Sequence, residues 1–324
     1  MTRSRGVADY GYYPPVNSNI LINPSFTVNQ RGDVIDHNTS TYGPDRWGVS
    51  GISTTGGTMS QSTTTIDPAT GINKLLVKHR NATDSAFIYQ RVEAVNLLGL
   101  YGEEMTLSFS FSNTGAPNLP NVRIYTWNAA GDYSIIHEAV PTSLGNSRWT
   151  CTFTLSTDDG TIPKATDVGL GVTIYSNENK TDPAPAEWSV WETKLEAGSV
   201  ATPFIARSHG EELYLCYRYY QSIFFQATTP LTATRRSTNE IGMPFALYAV
   251  MRTNPTFLAI RASGDDPIFT LKGDGQKEEF TNPSISYGSG YALLYKTNLT
   301  TTVNNESAYI VSVQSGYLQF DAEL

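Results

Sequence analysis

Glu104-Met-Thr-Leu-Ser-Phe-Ser-Phe-Ser112 is the stretch from which the fold is read. Met105, Leu107, Phe109 and Phe111 alternate with Thr106, Ser108 and Ser110, a period of two that puts apolar side chains on one face of a strand and hydroxyls on the other. The expected orientation is apolar inward, hydroxyl outward. The same period recurs downstream. Trp149, Cys151, Phe153 and Leu155 are separated by Thr150, Thr152 and Thr154, and Val168, Leu170, Val172 and Ile174 follow in step. Further strands are expected at Lys74–Arg80, Ser85–Glu93, Asn121–Asn128, Tyr133–Ala139 and Glu187–Glu196, with turn clusters at Asn113–Pro120 and Thr157–Pro163 between them. About ten short strands with almost no helix imply a jelly-roll β-sandwich over residues 19–207.

Outward from this block the pattern changes twice. Residues 1–18 are rich in Gly, Pro and Tyr and carry neither hydrophobic period, so they read as an extended arm. On the other side, Ser208 and Glu211 stand at capping-box spacing, and Glu212 adds charge suited to a helix N-terminus. Leu213, Cys216, Tyr217, Tyr220 and Phe224 share one helical face, which predicts a helix from Ser208 to about Ser222 in a linking segment, 208–223. Strands resume at Ile241–Met251, Phe257–Ala262, Ile268–Leu271, Tyr291–Thr297, Ala308–Val313 and Tyr317–Leu324, giving a second β-sandwich over 224–324. The alternation of Leu318, Phe320, Ala322 and Leu324 predicts that the last strand is paired. The fold class is therefore all-β, with two sandwiches joined by a short helix.

Composition narrows the function. Charged residues make up 16% of 324, against roughly 25% in an average soluble domain, so the surface is expected to bond water through hydroxyls and amides. A net charge of -8 without a Lys/Arg run opposes a nucleic-acid partner. No apolar run is long enough for a signal peptide or membrane insertion, so synthesis in a cytoplasm is expected. Cys151 and Cys216 lack metal or redox spacing and read as buried free thiols.

Reactive groups are sparse. The adjacent carboxylates Glu103/Glu104, Asp158/Asp159, Glu211/Glu212, Asp265/Asp266 and Glu278/Glu279 read as turns and a helix start, because neighbours on a strand point to opposite faces and cannot flank one glycosidic bond. His37, His79, His137 and His209 are scattered, and no nucleophile elbow, phosphate loop or HExxH occurs. No catalytic residue is assigned and the chain reads as a non-enzyme.

The binding candidate is the strand holding Arg123, Tyr125 and Trp127, which share a face while Val122 and Ile124 turn to the core. Aromatic faces cover the apolar C–H patch of a sugar, and a guanidinium donates to its hydroxyls. Tyr89 and Arg91 have the same spacing on another strand and extend the face. The competing reading is that these rings fill a core or a subunit interface. Trp47, after Asp45 and Arg46, reads as a core residue, with the two charges pairing or capping a loop.

Several segments resemble bacteriophage tail-fibre and virion-appendage proteins with a carbohydrate-binding-module-like jelly roll. At the front these are Asn19-Ile-Leu-Ile-Asn-Pro-Ser-Phe26, Asn29-Gln-Arg-Gly32 and Asp45-Arg-Trp47. Tyr89-Gln-Arg-Val-Glu93 and Leu107-Ser-Phe109 match its central strands. The most specific run is Lys194-Leu-Glu-Ala-Gly-Ser-Val-Ala-Thr-Pro-Phe204 with Gly210-Glu-Glu-Leu213 and Cys216-Tyr-Arg-Tyr-Tyr220. Met243-Pro-Phe245, Met251-Arg252, Asn254-Pro-Thr256 and Asp321-Ala-Glu-Leu324 resemble the trailing domain.

The resemblance implies a structural virion protein, a homotrimer attached through its N-terminal arm to another virion protein and facing a host cell-surface glycan. A capsid decoration or head-fibre protein, or a glycan depolymerase, are the alternatives. A structural calcium is common in related sugar-binding jelly rolls, and Asn23 and Glu196 stand at corresponding positions. The six to eight oxygens calcium needs do not assemble from the sequence, so neither metal nor cofactor is expected.

Overall fold

The computed structural model describes residues 19–323 apart from 33, 38–40, 53–59, 68–69, 80–84, 114–118, 165–166, 177–186, 227–228, 238, 262–268, 274–275, 281–282, 289–290, 300–308 and 314–315. The expected arm at 1–18, Asp265 and Asp266 lie outside the described residues, as do the side chains of His37, His79, Glu278 and Glu279. The chain divides into two compact units, residues 1–213 and 214–323.

The strands of the first unit are β1 (Val34–His37), β2 (Thr41–Tyr42), β3 (Gly48–Ile52), β4 (Ser60–Ile66), β5 (Asn73–His79), β6 (Ser85–Glu93), β7 (Glu104–Asn113), β8 (Pro120–Trp127), β9 (Tyr133–Ala139), β10 (Thr142–Gly145), β11 (Arg148–Thr154), β12 (Val168–Ser176) and β13 (Glu187–Ala197). They form a seven-stranded sheet in the order β1-β4-β5-β13-β7-β11-β10 and a six-stranded sheet in the order β2-β3-β6-β12-β8-β9. The non-sequential neighbours in each sheet, all antiparallel, are those of a jelly-roll sandwich.

One apolar core joins the two sheets. Met105, Leu107 and Phe109 of β7 are fully buried with Ile88 of β6, Val122 and Ile124 of β8, and Leu170, Val172 and Ile174 of β12. Each such side chain contributes about 1.5–3 kcal/mol relative to exposure. Trp47 is fully buried against Phe26, ring centroids 5.1 Å apart, and its indole N–H donates to the Asn23 carbonyl at 2.9 Å. Asp45 closes the neighbouring loop by accepting the Gln30 amide at 2.9 Å, and Arg46 donates to the Arg91 carbonyl. Cys151 and Cys216 are buried and neither forms a disulfide, and burial pushes the Cys151 thiol up to about 12.

The hydroxyl face of β7 departs from the expected outward orientation. Thr106, Ser108 and Ser110 are buried. Partners from the neighbouring strands and the chain leaving β13 meet them: Thr106 donates to the Gly198 carbonyl at 2.6 Å, and Arg148 of β11 donates to the Ser108 hydroxyl at 2.7 Å and the Glu192 carbonyl at 2.6 Å. Hydroxyls on a strand can be buried when each finds a partner, so alternation alone does not tell a wet face from a satisfied one.

The helix, α1, spans His209–Tyr217 and contains the boundary between the units. Its capping box forms as expected: the Ser208 amide and hydroxyl both meet the Glu211 carboxylate, at 2.9 and 2.8 Å, and the Glu211 amide donates to the Ser208 hydroxyl at 3.3 Å. These bonds hold the Glu211 carboxyl below its ordinary range. The expected continuation to Ser222 is corrected. After a turn closed by Tyr219 on the Cys216 carbonyl, 220–225 becomes strand β14. The run Tyr220-Gln-Ser-Ile-Phe-Phe225 satisfies a helical face and a strand equally well, and six paired positions from Tyr220↔Asp321 to Phe225↔Gly316 settle it as strand.

The second unit holds β14 (Tyr220–Phe225), β15 (Thr229–Ser237), β16 (Glu240–Ala246), β17 (Thr256–Arg261), β18 (Phe269–Gly273), β19 (Gln276–Phe280), β20 (Ser284–Gly288), β21 (Tyr291–Lys296), β22 (Tyr309–Val313) and β23 (Gly316–Asp321). A three-stranded sheet β14-β23-β17 and a seven-stranded sheet β19-β18-β22-β15-β16-β21-β20 make a β-sandwich around Ile241, Met243, Phe269, Leu294, Leu318 and Phe320. The expected C-terminal strand is the central one of the smaller sheet. Strands β14, β15, β19 and β20 were not legible in the sequence. The strand expected to reach Met251 stops at Ala246, beyond which the Tyr248 amide is drawn to the Gln221 side chain at 2.8 Å. Among the described residues, no helix is long and apolar enough to cross a membrane.

Candidate functional site

The six-stranded sheet has one face in the core, so the alternate residues of its strands face out. On β6, Ala86, Ile88 and Val92 are buried, while Phe87, Tyr89 and Arg91 are only half-buried. On β8, Val122, Ile124 and Thr126 are buried and Arg123, Tyr125 and Trp127 are half-buried. Strand β12 lies between the two. Its register places Thr173 opposite both Tyr89 and Arg123, and Gly171 opposite both Arg91 and Tyr125. Residues far apart in sequence thus become neighbours across three strands.

Four of the five expected residues, Tyr89, Arg91, Tyr125 and Trp127, line one cleft of about 260 Å³ together with Phe87, Tyr133, Gly171 and Thr173. Trp127, Tyr125 and Tyr133 form a ring cluster: the Trp127–Tyr133 and Tyr125–Tyr133 centroids are 5.7 Å apart, and Tyr125–Trp127 6.3 Å. Tyr89 carries a second cluster, with Tyr42 at 6.0 Å and Phe87 at 6.3 Å. The Arg91 guanidinium stands between the clusters, 5.4 Å from the Tyr89 ring and 5.9 Å from that of Trp127, within cation–π range of both.

Two glycines set how the rings lie. A β-carbon on Gly171 would come within 3.0 and 3.1 Å of the Trp127 indole, and one on Gly48 would meet the Tyr89 ring at 2.2 Å. Each ring therefore lies across a neighbouring strand where a side chain would otherwise stand.

The fifth expected residue, Arg123, shares the outer face but does not line the cleft. It donates to the Glu138 carboxylate at 2.5 Å and to the Tyr125 phenol oxygen at 3.2 Å, with its guanidinium 5.6 Å from the Tyr175 ring. Tyr175 also donates to Glu138, at 2.9 Å. The bond to Glu138 leads the causes that raise Arg123 above its ordinary value, and the same bond leads those that hold Glu138 below its own. With both partners a third or more exposed, the pair is worth about 0–1 kcal/mol. Its effect is geometric: Arg123 fixes the phenol end of Tyr125.

Phe87 and Tyr133 were missed. Phe87 has the same parity as Tyr89, and that signal was available in the sequence. Tyr133 joins through the register Trp127↔Tyr133 across the hairpin loop, and it is 65% exposed, which makes it the ring most open to solvent in the cluster. Gly171 and Thr173 could be placed only once β12 was known to run between β6 and β8.

The two residues considered for calcium are engaged by the protein. The Asn23 side-chain amide donates to the Val28 and Asp45 carbonyls at 2.7 and 2.9 Å, and its oxygen accepts the Val28 amide at 3.0 Å. Glu196 accepts the Thr202 amide and hydroxyl at 2.9 and 2.6 Å and pairs with Lys194 at 3.0 Å. Both serve to fasten chain segments. Among the described residues no group of three His, Cys, Asp or Glu is placed to hold a metal. Asp159 sits in a turn, its carboxylate accepting the Thr161 amide and hydroxyl.

No protein-family model matches the chain, and no curated protein does. Among solved structures, the chain is similar to the xylan-binding CBM22-1 domain of Paenibacillus barcinonensis Xyn10C, at 11% identity and a TM-score of 0.31, over 57% of this chain and 97% of that domain. The CBM22-1–GH10 modules of the Clostridium thermocellum xylanase 10B match at 12% identity and a TM-score of 0.30, over 56% of this chain and 30% of that one. The enzymatically active domain of bacteriophage CBA120 tailspike protein 4 matches at 9% identity and a TM-score of 0.29, over 56% of this chain and 21% of that one.

Proposed function

We propose that this chain is a glycan-binding subunit of a bacteriophage virion, of the tail-fibre or receptor-binding kind, and that it holds its ligand without converting it. The observation that carries the binding reading is the cleft on the outer face of the six-stranded sheet, where Tyr89, Trp127, Tyr125 and Tyr133 gather around Arg91. Ring faces cover the apolar side of a sugar, while phenols, the Thr173 hydroxyl and the guanidinium meet its hydroxyls. Hydrolysis by a carboxylate pair needs two acids about 5–9.5 Å apart flanking one bond, and the described residues lining this cleft are aromatic, glycine, threonine and arginine.

The virion reading is supported by the resemblance of the segments from Asn19 to Phe26 and from Lys194 to Tyr220. In that setting a shallow site of modest affinity is sufficient, because a homotrimer presented in several copies multiplies effective concentration.

A glycan array probed with the 324-residue chain and with its Trp127→Ala variant tests the site. Loss of a central aromatic anchor costs about 2 kcal/mol or more, so the variant is expected to bind the same glycans at least tenfold more weakly while still unfolding in a cooperative transition above the temperature of the binding assay. Undiminished binding by the variant would place the site elsewhere. Antibody labelling of phage particles tests the location: label on the tail supports the receptor role, and label on the head supports capsid decoration. Release of reducing ends from host polysaccharide would establish a depolymerase instead.

A further inference from the structure

We infer that the cleft selects an acidic glycan, one whose sugar ring stacks on Trp127 or Tyr89 while a carboxylate or sulfate on that sugar meets Arg91. This rests on the glycan-binding reading above and adds the chemical class of the ligand.

Three observations carry it. The first is the charge of the lining: of the eight described residues around the cleft, one is ionic, and it is a cation. The second is its position. Arg91 stands between the two ring clusters, 5.4 Å from Tyr89 and 5.9 Å from Trp127, so a sugar stacked on either ring brings its substituents onto the guanidinium. The third is the state of an acid on the same outer face. Glu138 is held by Arg123 and by Tyr175, and those bonds keep it ionised and turned to its own partners.

A planar guanidinium matches the two oxygens of a carboxylate or sulfate with parallel bonds. Arg91 keeps contacts of its own within the protein, and with five donors it can serve those and an incoming oxyanion together. Covering a guanidinium with a neutral sugar strips water from a cation. An oxyanion on the sugar restores that stabilisation at the point of contact, so the discrimination is built into the desolvation step. The chain as a whole is acidic, at -8, and gives no long-range attraction to an anion. The preference is therefore one of contact, exerted within the Debye length of about 8 Å.

The test is an array of matched pairs: glycans bearing uronate-type or sialate-type carboxylates, each beside its carboxyl-reduced form, and sulfated glycans beside their desulfated forms. The unsubstituted chain is expected to bind the acidic member of its preferred pair at least tenfold more tightly than the neutral one. Whether that pair is carboxylated or sulfated identifies the source of the charge. Arg91→Gln is expected to bring the ratio close to one, whereas Trp127→Ala weakens both members together. Because the ratio is measured within one preparation, a loss of folded protein cancels from it. Binding to neutral glycans alone, or equal binding to both members, overturns the acidic preference and leaves the glycan reading standing. No binding to any glycan overturns both.

Discussion

Gly48 and Gly171 show how much of this site is set by atoms that are not there. Neither has a positive φ, so backbone freedom is not what the positions need. What they supply is room: the Tyr89 ring occupies the space of a Gly48 side chain, and the Trp127 indole borders that of Gly171. Gly48→Ala must displace the Tyr89 ring, an overpacking that typically costs about 1–3 kcal/mol. The expected outcome is a lower unfolding temperature together with weaker glycan binding, measured by thermal denaturation and titration. Equal stability and affinity in the variant would mean that the ring's resting place is unimportant.

The bulge in β9 is the element that organises the edge of the face. Tyr125 pairs with Ile135 and Ile124 with His137, so Ile136 is the extra residue. Without it His137 would stand opposite Arg123; with it Glu138 does, and the ion pair forms. The pH consequence follows from Glu138 being held below the ordinary carboxylate range by Arg123 and Tyr175. A carboxyl depressed in the folded state contributes stability that is complete above its unfolded pKa, about 4.3, and is lost as pH falls through the folded value. Wild type is therefore expected to exceed Glu138→Gln by no more than about 1 kcal/mol at pH 7, with the advantage vanishing in acid. Thermal unfolding of both proteins from pH 7 to pH 3 measures it, and an advantage that persists or grows in acid would contradict the assignment. The end of α1 is decided at the same scale, since the pairing of β14 with β23 is available only to residues beyond Tyr219.

For the whole molecule, two units with separate apolar cores are the natural division of a 324-residue chain. In the second unit, Phe224 and Tyr317 pack side by side at 5.0 Å on adjacent strands and are 50% and 42% exposed. Native mass measurement of the 324-residue chain is expected to give three times the 35.5 kDa chain mass, and a stable monomer at micromolar concentration would remove the trimer from the proposal.

Side-chain parity along a single strand is legible in the amino-acid sequence alone. It gave the all-β class, the inward set of β7, β8 and β12, the bounds of β6 and β9, and the shared face of Arg123, Tyr125 and Trp127, because a period of two is a property of the extended backbone itself. Whether a face is wet, where an ambiguous run such as Tyr220–Phe225 pairs, and which outward residues meet are not properties of one strand. The burial of Thr106, Ser108 and Ser110, the diversion of Arg123 to Glu138, and the arrival of Tyr133, Gly171 and Thr173 in the cleft all depend on strand order and register. Those are fixed by hydrogen-bond ladders between residues dozens of positions apart, and only the folded chain chooses among them.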